Sequence, residues 1–294
     1  MVNVMAATAP AIRCRQITDA DVASITALLA RGFPARDGAF WAHGLAQLGG
    51  RQVPSDLPKY GYLLESGGRP VGAILLICST LRAGDKLVRR CNLSSWYVEP
   101  AFRSYAPLLV SRAIAHKEVT YLNISPAPHT RPIIEAQGFS RYSNGVFITL
   151  PMCNGLFDRR DVQILTAQSR PKVHCEPFEQ EILEQHAAHG CLSLWCVSSE
   201  RAYPFVFRPR LAKNLVPYSQ MIYCRAIGDF VRCAGPIGRF LALRGKPFVI
   251  LDANGPIPGL VGVFRRGSMP KYFKGPEPPR LGDLAYTEYG VIGV

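Results

Sequence analysis

Residues 93–103 of the chain, LSSWYVEPAFR, decide which fold the sequence predicts. The run 93–98 is rich in apolar and aromatic side chains, which is typical of a β-strand. Pro100 follows at once, and because proline cannot donate a hydrogen bond to a neighbouring strand, the strand ends there. Apolar residues at helical spacing come next, at Leu108, Leu109, Ala113 and Ile114. The stretch therefore predicts a strand, a turn and a helix.

Strands and helices alternate on both sides of this stretch. A strand and a helix open the chain, and two apolar runs joined by Ser66-Gly67-Gly68-Arg69 predict a β-hairpin. The strands are predicted at residues 11–17, 60–65, 71–78, 119–124 and 146–150, and the helices at 21–32 and 132–137. This order predicts an α/β fold in which a mixed β-sheet is flanked by helices.

The second half of the chain repeats the pattern of the first. A shift of 129 positions places residues 103–108 on 232–237 and, without a gap, residues 119–123 on 248–252. Self-similarity at a fixed spacing indicates an internal repeat. We therefore predict two tandem α/β units of the same type.

The predicted domain limits follow from where periodicity is lost. Residues 151–177 show no sustained apolar periodicity and contain polar and basic groups, so they are predicted to be a linker. An N-terminal domain is then expected at residues 1–150, and a degenerate C-terminal domain of the same type at 178–294.

Both repeats place an Arg after a strand, a small residue three positions later, and then a helix. The Arg and small residue are Arg103 with Ala106 in the first repeat and Arg232 with Gly235 in the second. The start of a helix presents unpaired backbone N–H groups and the positive end of the helix dipole. Such a turn is a ready site for a pyrophosphate group.

Over about residues 11–150 the sequence resembles the GNAT superfamily of acyl-CoA acyltransferases. The resemblance is carried by residues 93–103, by the helix that follows, and by residues 133–139, IIEAQGF. In that family an Arg-x-x-Gly-x-Gly/Ala turn holds the pyrophosphate of coenzyme A, and splayed strands beside it pair with the pantetheine arm. The resemblance implies an acetyl-CoA or other acyl-CoA co-substrate bound by Val98, Arg103 and Ala106 in the first repeat, or by Arg232, Gly235 and Gly238 in the second.

The sequence departs from the family pattern at three places in the first repeat. The two family glycines fall on Ala106 and Leu108, and the tyrosine that often protonates the departing thiolate falls on Ile134. Side chains at glycine positions hinder a close approach of backbone to phosphate. Because the second repeat retains Gly235 and, one residue late, Gly238, the sequence favours the second turn for coenzyme binding.

Attack of an amine on a thioester needs a base for the amine proton and an acid for the leaving sulfur. In the second repeat Asp283, Tyr286 and Glu288 cluster near the strand that would flank the site, and they are our predicted catalytic residues. The first repeat offers His129, Tyr97 and Tyr142. Structural alternatives exist for these residues, since a strand tyrosine is commonly a core residue and an Asp after a glycine commonly makes a turn.

Two other segments are candidates for an acceptor site. Residues 32–41 follow the first helix and carry Phe33, Phe40 and Trp41, which can cover a sugar or acyl chain or pack in the core. Residues 271–280 mix basic, aromatic and proline residues, so they form either a lid over an anionic ligand or a rigid surface loop.

The composition limits the partners. The net charge of +13, from 34 basic and 21 acidic residues, favours an anionic ligand, but the chain contains no long basic run, and a nucleic-acid partner is not expected. The apolar runs are too short to span a bilayer. The nine cysteines include no Cys-x-x-Cys pair, so we expect reduced thiols, no metal and a cytoplasmic protein.

The sequence thus predicts an acyltransferase that moves an acyl group, expected to be acetyl, directly from acyl-CoA to an amine or another small-molecule nucleophile. The alternative is a non-catalytic protein of the same fold that binds acyl-CoA or a partner, which Ala106, Leu108 and Ile134 favour.

Overall fold

The computed structural model of the protein describes residues 11–83, 86–154, 162–212 and 215–293. By packing, these residues divide into a first unit, residues 11–78 with 93–117, and a second unit, residues 79–92 with 118–293. Residues 1–10 of the predicted N-terminal domain and 155–161 of the predicted linker lie outside the described residues.

The described residues form strands, α-helices and short 3-10 turns. The strands are β1 (Ile12–Gln16), β2 (Gly61–Ser66), β3 (Arg69–Ala83), β4 (Lys86–Val98), β5 (Thr120–Asn123), β6 (Ser140–Thr149), β7 (Gln163–Thr166), β8 (Leu192–Val197), β9 (Ala202–Ala212), β10 (Val216–Cys224), β11 (Phe248–Ala253) and β12 (Gly262–Lys274). The α-helices are α1 (Val22–Gly32), α2 (Gly38–Gly49), α3 (Ala106–Ala113), α4 (Arg131–Ala136), α5 (Pro177–Ala188) and α6 (Ile227–Ala242). Among the described residues, no helix is long and apolar enough to cross a bilayer.

In the first unit, β1, β2 and β3 form an antiparallel meander. The predicted hairpin is confirmed: Ser66 pairs with Arg69, and the two glycines between them have φ angles of 55° and 78°, as a two-residue turn of this kind requires. At the start of α1, the Asp21 carboxylate accepts hydrogen bonds from the Thr18 backbone and from Arg15. This arrangement fixes where the first helix begins.

Helix α2 was not predicted, because the glycines in this stretch weaken a helical pattern. It begins at Asp37, whose side chain accepts a hydrogen bond from the Phe40 N–H at 2.8 Å. Its buried face carries Trp41, Leu45 and Leu48, at the spacing of one helix side. Phe40 and Trp41 of the candidate acceptor segment therefore belong to a helix, and Trp41 packs in the core, which was one of the two predicted alternatives.

The second unit is built on a mixed sheet. Its strand order is β4-β5-β12-β6-β11-β10-β9-β8-β7, in which β4 with β5 and β10 with β11 are parallel and the other neighbours are antiparallel. The predicted mixed α/β fold is confirmed. Strand β7 lies inside the predicted linker, which is therefore partly structured. The two compact units are not continuous in sequence, so they do not test domain limits at residues 150 and 178. These predicted limits stay a prediction.

Helices α5 and α6 cover opposite faces of this sheet. Trp195 and Val206 pack with Ile182 of α5, whereas their chain neighbours Leu194 and Phe205 pack with Phe230 of α6. Successive side chains of a strand point to opposite faces, so this alternation separates the two cores.

The cysteines are mostly thiols, as expected. Seven are free: Cys14, Cys153, Cys175, Cys191, Cys196, Cys224 and Cys233. Cys78 and Cys91 are disulfide-bonded, so the expectation of reduced thiols is wrong for these two.

The 129-residue shift relates two strands that pair alike, but it does not relate the turns that it predicts. Strands β5 and β11, which the 129-residue shift matches, each pair in parallel with the strand before them. Arg232, Gly235 and Gly238, however, lie in the interior of α6 rather than in a turn ahead of a helix. Backbone N–H groups in a helix interior bond to the helix itself and are not available for phosphate. The structure thus contradicts the predicted phosphate-binding turn at these three residues.

Gly235 and Gly238 of α6 serve packing instead. A Cβ at Gly238 would collide with the backbone of Pro151 and Met152, and one at Gly235 would collide with the Asn154 carbonyl. The 3-10 turn Pro151–Cys153 therefore lies directly against α6.

We predict that Gly238→Ala destabilises the protein by roughly 1–3 kcal/mol, because a backbone segment must move to make room for the methyl group. Gly228→Ala, in the same helix with open space around the new Cβ, is expected to be neutral or to stabilise by roughly 0.5–1 kcal/mol through helix propensity. Urea unfolding of both variants measures the difference. Equal midpoints for the two variants would contradict this account of Gly238.

Candidate active site

The chain after β12 continues as a C-terminal segment, residues 281–293, which packs against the sheet of the second unit. Cys224 donates its N–H to the Gly282 carbonyl at 2.9 Å, and Leu284 donates its N–H to the Ile222 carbonyl at 2.8 Å. These bonds form a short antiparallel bridge between Tyr223 and Asp283. The segment therefore adds a short piece of strand to β10.

This bridge lies beyond the point where β10 and β11 stop pairing. Their parallel register covers only Tyr218 to Gln220 of β10. Further along β10, Tyr223 pairs with Val206 of β9 on one side and with Asp283 on the other. Where β10 no longer pairs with β11, its edge is thus hydrogen-bonded to another segment of the same chain.

His186 of α5 holds the next part of the segment. Its Nε2 accepts the Tyr286 N–H at 3.1 Å, and its Nδ1 lies 2.8 Å from the Ile182 carbonyl. A nitrogen that accepts an N–H carries no proton, so the proton of this imidazole is on Nδ1 and the ring is neutral. The Tyr286 ring lies 4.9 Å from the imidazole and is buried, in a left-handed conformation with φ of 55°.

Asp283 is held by an ion pair inside the second unit. Arg90 of β4 donates from both terminal nitrogens to the Asp283 carboxylate at 3.2 Å, and from Nη2 to the Ala285 carbonyl at 2.7 Å. Burial alone would raise the pKa of Asp283, but the charges of Arg90 and Arg280 outweigh it and hold the pKa below its usual range. The carboxylate is therefore ionised and fixed, and it anchors the segment.

The last of these contacts joins Glu288 to the paired strands β4 and β5. Its N–H donates to Asn92 Oδ1 at 2.7 Å, while Asn92 Nδ2 donates to the Leu122 carbonyl at 3.2 Å. Asn92 and Leu122 are the last of three residue pairs in this parallel ladder. Glu288 is only 2% exposed, and its carboxylate accepts a short hydrogen bond from the Ser125 hydroxyl. Ser125 itself is exposed, so solvent reaches the partner of this buried carboxylate.

Tyr142 of β6 packs against the same apolar cluster as Tyr286 and Tyr289. Its hydroxyl is buried and has no hydrogen-bond partner among the described residues. Burial, and then the negative charge of Asp252, raises the pKa of Tyr142 well above its ordinary value. The phenol is therefore protonated at neutral pH.

The other candidates of the first repeat lie elsewhere. His129 is exposed in the 3-10 turn Pro128–Thr130, and the Tyr97 ring packs against Phe33 within the first unit. Asn92 and Ser125 were not predicted, because they are 196 and 163 residues away in sequence from the glutamate that they contact.

The coenzyme-binding residues predicted for the first repeat lie in the first unit. Val98 ends β4, and Ala106 begins α3 with its N–H bonded to the Arg103 carbonyl, so the expected open turn is instead a 3-10 helix, Pro100–Tyr105. Arg103 is exposed and makes no ion pair with any described residue. The Leu108 side chain is 39% exposed and does not fill the turn. An exposed, unpaired guanidinium beside a helix start fits the charge of a pyrophosphate.

The expected lid at residues 271–280 is partly strand. Lys271 and Tyr272 belong to β12, and Lys271 forms a fully buried ion pair with Asp252 at 2.7 Å. A lid residue must be free to move, so this expectation is wrong for the start of the segment.

Solved structures with the same fold are found among acetyltransferases. The crystal structure of a GCN5-related N-acetyltransferase from Kribbella flavida has a TM-score of 0.58 and 14% identity, and the match covers 90% of this chain and 71% of that one. A GCN5-related N-acetyltransferase from Anabaena variabilis gives 0.57 and 9%, covering 90% and 72%. Eis1 from Mycobacterium abscessus gives 0.52 and 13%, covering 93% and 74%.

No protein-family profile matches the chain, and no curated protein sequence is significantly similar to it. The structural matches establish that the chain has the fold of the GCN5-related N-acetyltransferases, as the sequence resemblance implied.

The lowered pKa of Asp283 predicts how its contribution to stability depends on pH. The ion pair is intact above the unfolded-state pKa, near 3.9, and its contribution is lost as pH falls through the lower folded-state pKa. We expect Asp283→Asn to cost about 3–5 kcal/mol at pH 7, because Arg90 is left buried and unpaired. This cost should shrink on acidification below about pH 4.

Unfolding free energies of wild type and Asp283→Asn at pH 7 and pH 3 measure this change. Glu277→Gln is the matched control, since it removes an exposed carboxylate six residues before Asp283 in the chain. A cost for Asp283→Asn that stays constant with pH would show that the ion pair does not anchor the segment.

Proposed function

We propose that the protein is an acyltransferase that moves an acyl group, acetyl in the first instance, from acyl-CoA to the amine or another nucleophile of a small molecule. The observation that carries the proposal is Glu288, whose buried carboxylate accepts from Ser125 and whose backbone N–H is held by Asn92 where the β4–β5 ladder ends. In proteins of this fold that use coenzyme A, the strands of such a parallel pair are expected to receive the pantetheine arm.

The chemistry needs few groups, and this chain supplies them. Acyl-CoA provides the acyl group as an activated thioester. The Glu288 carboxylate takes the proton of the incoming ammonium, so that the free amine forms the C–N bond as the C–S bond breaks. The Ser125 hydroxyl orients the carboxylate. Tyr142, whose hydroxyl has no hydrogen-bond partner among the described residues, gives its proton to the leaving thiolate and takes back the second proton that the nitrogen loses as the amide forms. No covalent enzyme intermediate is required.

The structure favours the first repeat for this reaction. In the second repeat the free edge of β10 bonds to Gly282 and Leu284, and Arg232 with its two glycines lies inside α6. We therefore assign coenzyme binding to Val98, Arg103 and Ala106. Asp283 and Tyr286 become positioning residues, because both are held by contacts of the segment that ends in Glu288.

The charge and the expected compartment support a coenzyme A ligand. A chain with net charge +13 attracts an anionic co-substrate, and acyl-CoA carries several phosphate charges. The acceptor is proposed to be a small molecule, and the setting to be the cytoplasm.

The first experiment is calorimetric titration with acetyl-CoA, with free coenzyme A and adenosine diphosphate as controls. We expect Arg103→Ala to weaken acetyl-CoA binding about tenfold or more through loss of a charge-assisted contact to phosphate. Arg232→Ala removes an exposed guanidinium of the same charge from α6 and should leave binding unchanged.

If only Arg232→Ala loses acetyl-CoA binding, the coenzyme site lies in the second repeat instead. If wild type binds none of the three ligands at millimolar concentration, the acyltransferase proposal fails. Binding that is not followed by transfer to any amine would leave a non-catalytic acyl-CoA-binding protein.

The role of Glu288 is tested by Glu288→Gln, which keeps the shape and the Ser125 contact but cannot take a proton. We expect the rate of thiol release from acetyl-CoA, measured with a panel of primary amines, to fall roughly 10²–10⁴-fold. The dissociation constant for acetyl-CoA should be unchanged, since the variant keeps the backbone bond to Asn92.

Glu181→Gln removes an exposed carboxylate from α5 and serves as the control for loss of charge. Ser125→Ala should retain most of the activity with a raised apparent pKa in the pH–rate profile, because the carboxylate loses a hydrogen bond to its ionised form. Full activity of Glu288→Gln would exclude Glu288 as the base.

A further inference from the structure

The second unit contains a cavity of about 380 Å³ that does not include Glu288, Asn92 or Ser125. Four arginines line it, against two carboxylates, Glu277 and Asp283. The arginines are Arg82, Arg90, Arg225 and Arg280. Pockets of this size are large enough for a small organic ligand. An excess of guanidinium groups around a cavity favours a negatively charged one.

Two of the four arginines are already committed to the protein. Arg90 binds Asp283 and the Ala285 carbonyl, and Arg280 donates to the Cys224 carbonyl at 2.5 Å. These two shape the wall of the cavity and hold the C-terminal segment.

The other two arginines have N–H groups that are available to bind a ligand. Arg225 uses Nε and Nη2 on the buried Glu179 carboxylate, at 2.7 and 2.6 Å, but its Nη1 is buried and has no hydrogen-bond partner among the described residues. Arg82 is exposed and makes no ion pair with the described residues. A buried guanidinium N–H without an acceptor is costly, and an anionic oxygen in the cavity would satisfy it.

The rest of the wall is mostly apolar and uncharged, with hydroxyl groups only on Thr120 and Tyr223. Val88 and Phe178 are half-buried there, and Ile182 of α5 is buried. Burying a hydrocarbon group against such a wall is favourable in free energy. This part of the wall offers no charged group that could pair with a second charge on the ligand. The arrangement suits one carboxylate group on an apolar body better than a polyphosphate.

We propose that this cavity is a binding site for a small organic carboxylate with an aromatic or aliphatic body. Its carboxylate accepts from Arg225 Nη1 and Arg82, and its apolar part lies against Val88, Phe178 and Ile182. The site is separate from the acyl-transfer site and does not depend on the proposed function.

The test is calorimetric titration of the full chain with 3-phenylpropionate, with 3-phenylpropanol as the neutral probe of the same shape. We expect saturable binding of the carboxylate below about 10 mM and binding of the alcohol at least about tenfold weaker. Arg82→Gln should weaken carboxylate binding about tenfold, and Val88→Phe, which fills part of the cavity, should remove it.

Arg225 is not the residue to change, because its loss would leave Glu179 buried and unpaired. Arg265→Gln, an exposed arginine of β12 outside the cavity, is the control and should bind the carboxylate as wild type does. The proposal is overturned by equal affinity for acid and alcohol, by no binding of the acid, or by an Arg82→Gln variant that binds as tightly as the Arg265→Gln control.

Discussion

The Arg90–Asp283 ion pair is the contact on which the placement of the candidate site depends. Side chains two apart on a strand share a face, so Arg90 and Asn92 of β4 point to the same side. Arg90 binds Asp283 and the Ala285 carbonyl, and Asn92 binds the Glu288 N–H. Two consecutive same-face side chains of one strand thus hold a segment almost 200 residues away in sequence. A buried arginine without this partner would cost free energy. We therefore expect the segment to make all of these contacts or none of them.

The same segment explains why the two repeats differ. A parallel pair that separates leaves strand edges whose N–H and C=O groups need partners. On β10 those partners are Gly282 and Leu284. An edge satisfied by the chain cannot also pair with the arm of a ligand.

Sequence reasoning succeeded where local chemistry decides the structure. The hairpin at Ser66-Gly67-Gly68-Arg69 forms because glycine accepts the left-handed turn, and the apolar runs of β5 and β11 were found as a repeated pair. The ungapped repeat failed at the helix because seven residues lie between Val98 and Ala106 but only two between Cys224 and Ile227. An ungapped shift cannot match both the strands and the helix starts, so it placed interior residues of α6 in a turn.

The candidate site was only half visible in the sequence for a related reason. Asp283, Tyr286 and Glu288 could be grouped because they are neighbours in the chain, whereas Asn92 and Ser125 are ordinary polar residues of a strand and a loop until the fold brings them to Glu288. The different roles of Asp283, Tyr286 and Glu288 also depend on their tertiary contacts. Asp283 pairs with two arginines and stays ionised, the Tyr286 backbone bonds to a neutral histidine, and the Glu288 carboxylate accepts a hydrogen bond from a hydroxyl. A carboxylate paired with a guanidinium is held ionised and holds structure, whereas Glu288, bonded to a hydroxyl, is the carboxylate that the proposed function uses as the base.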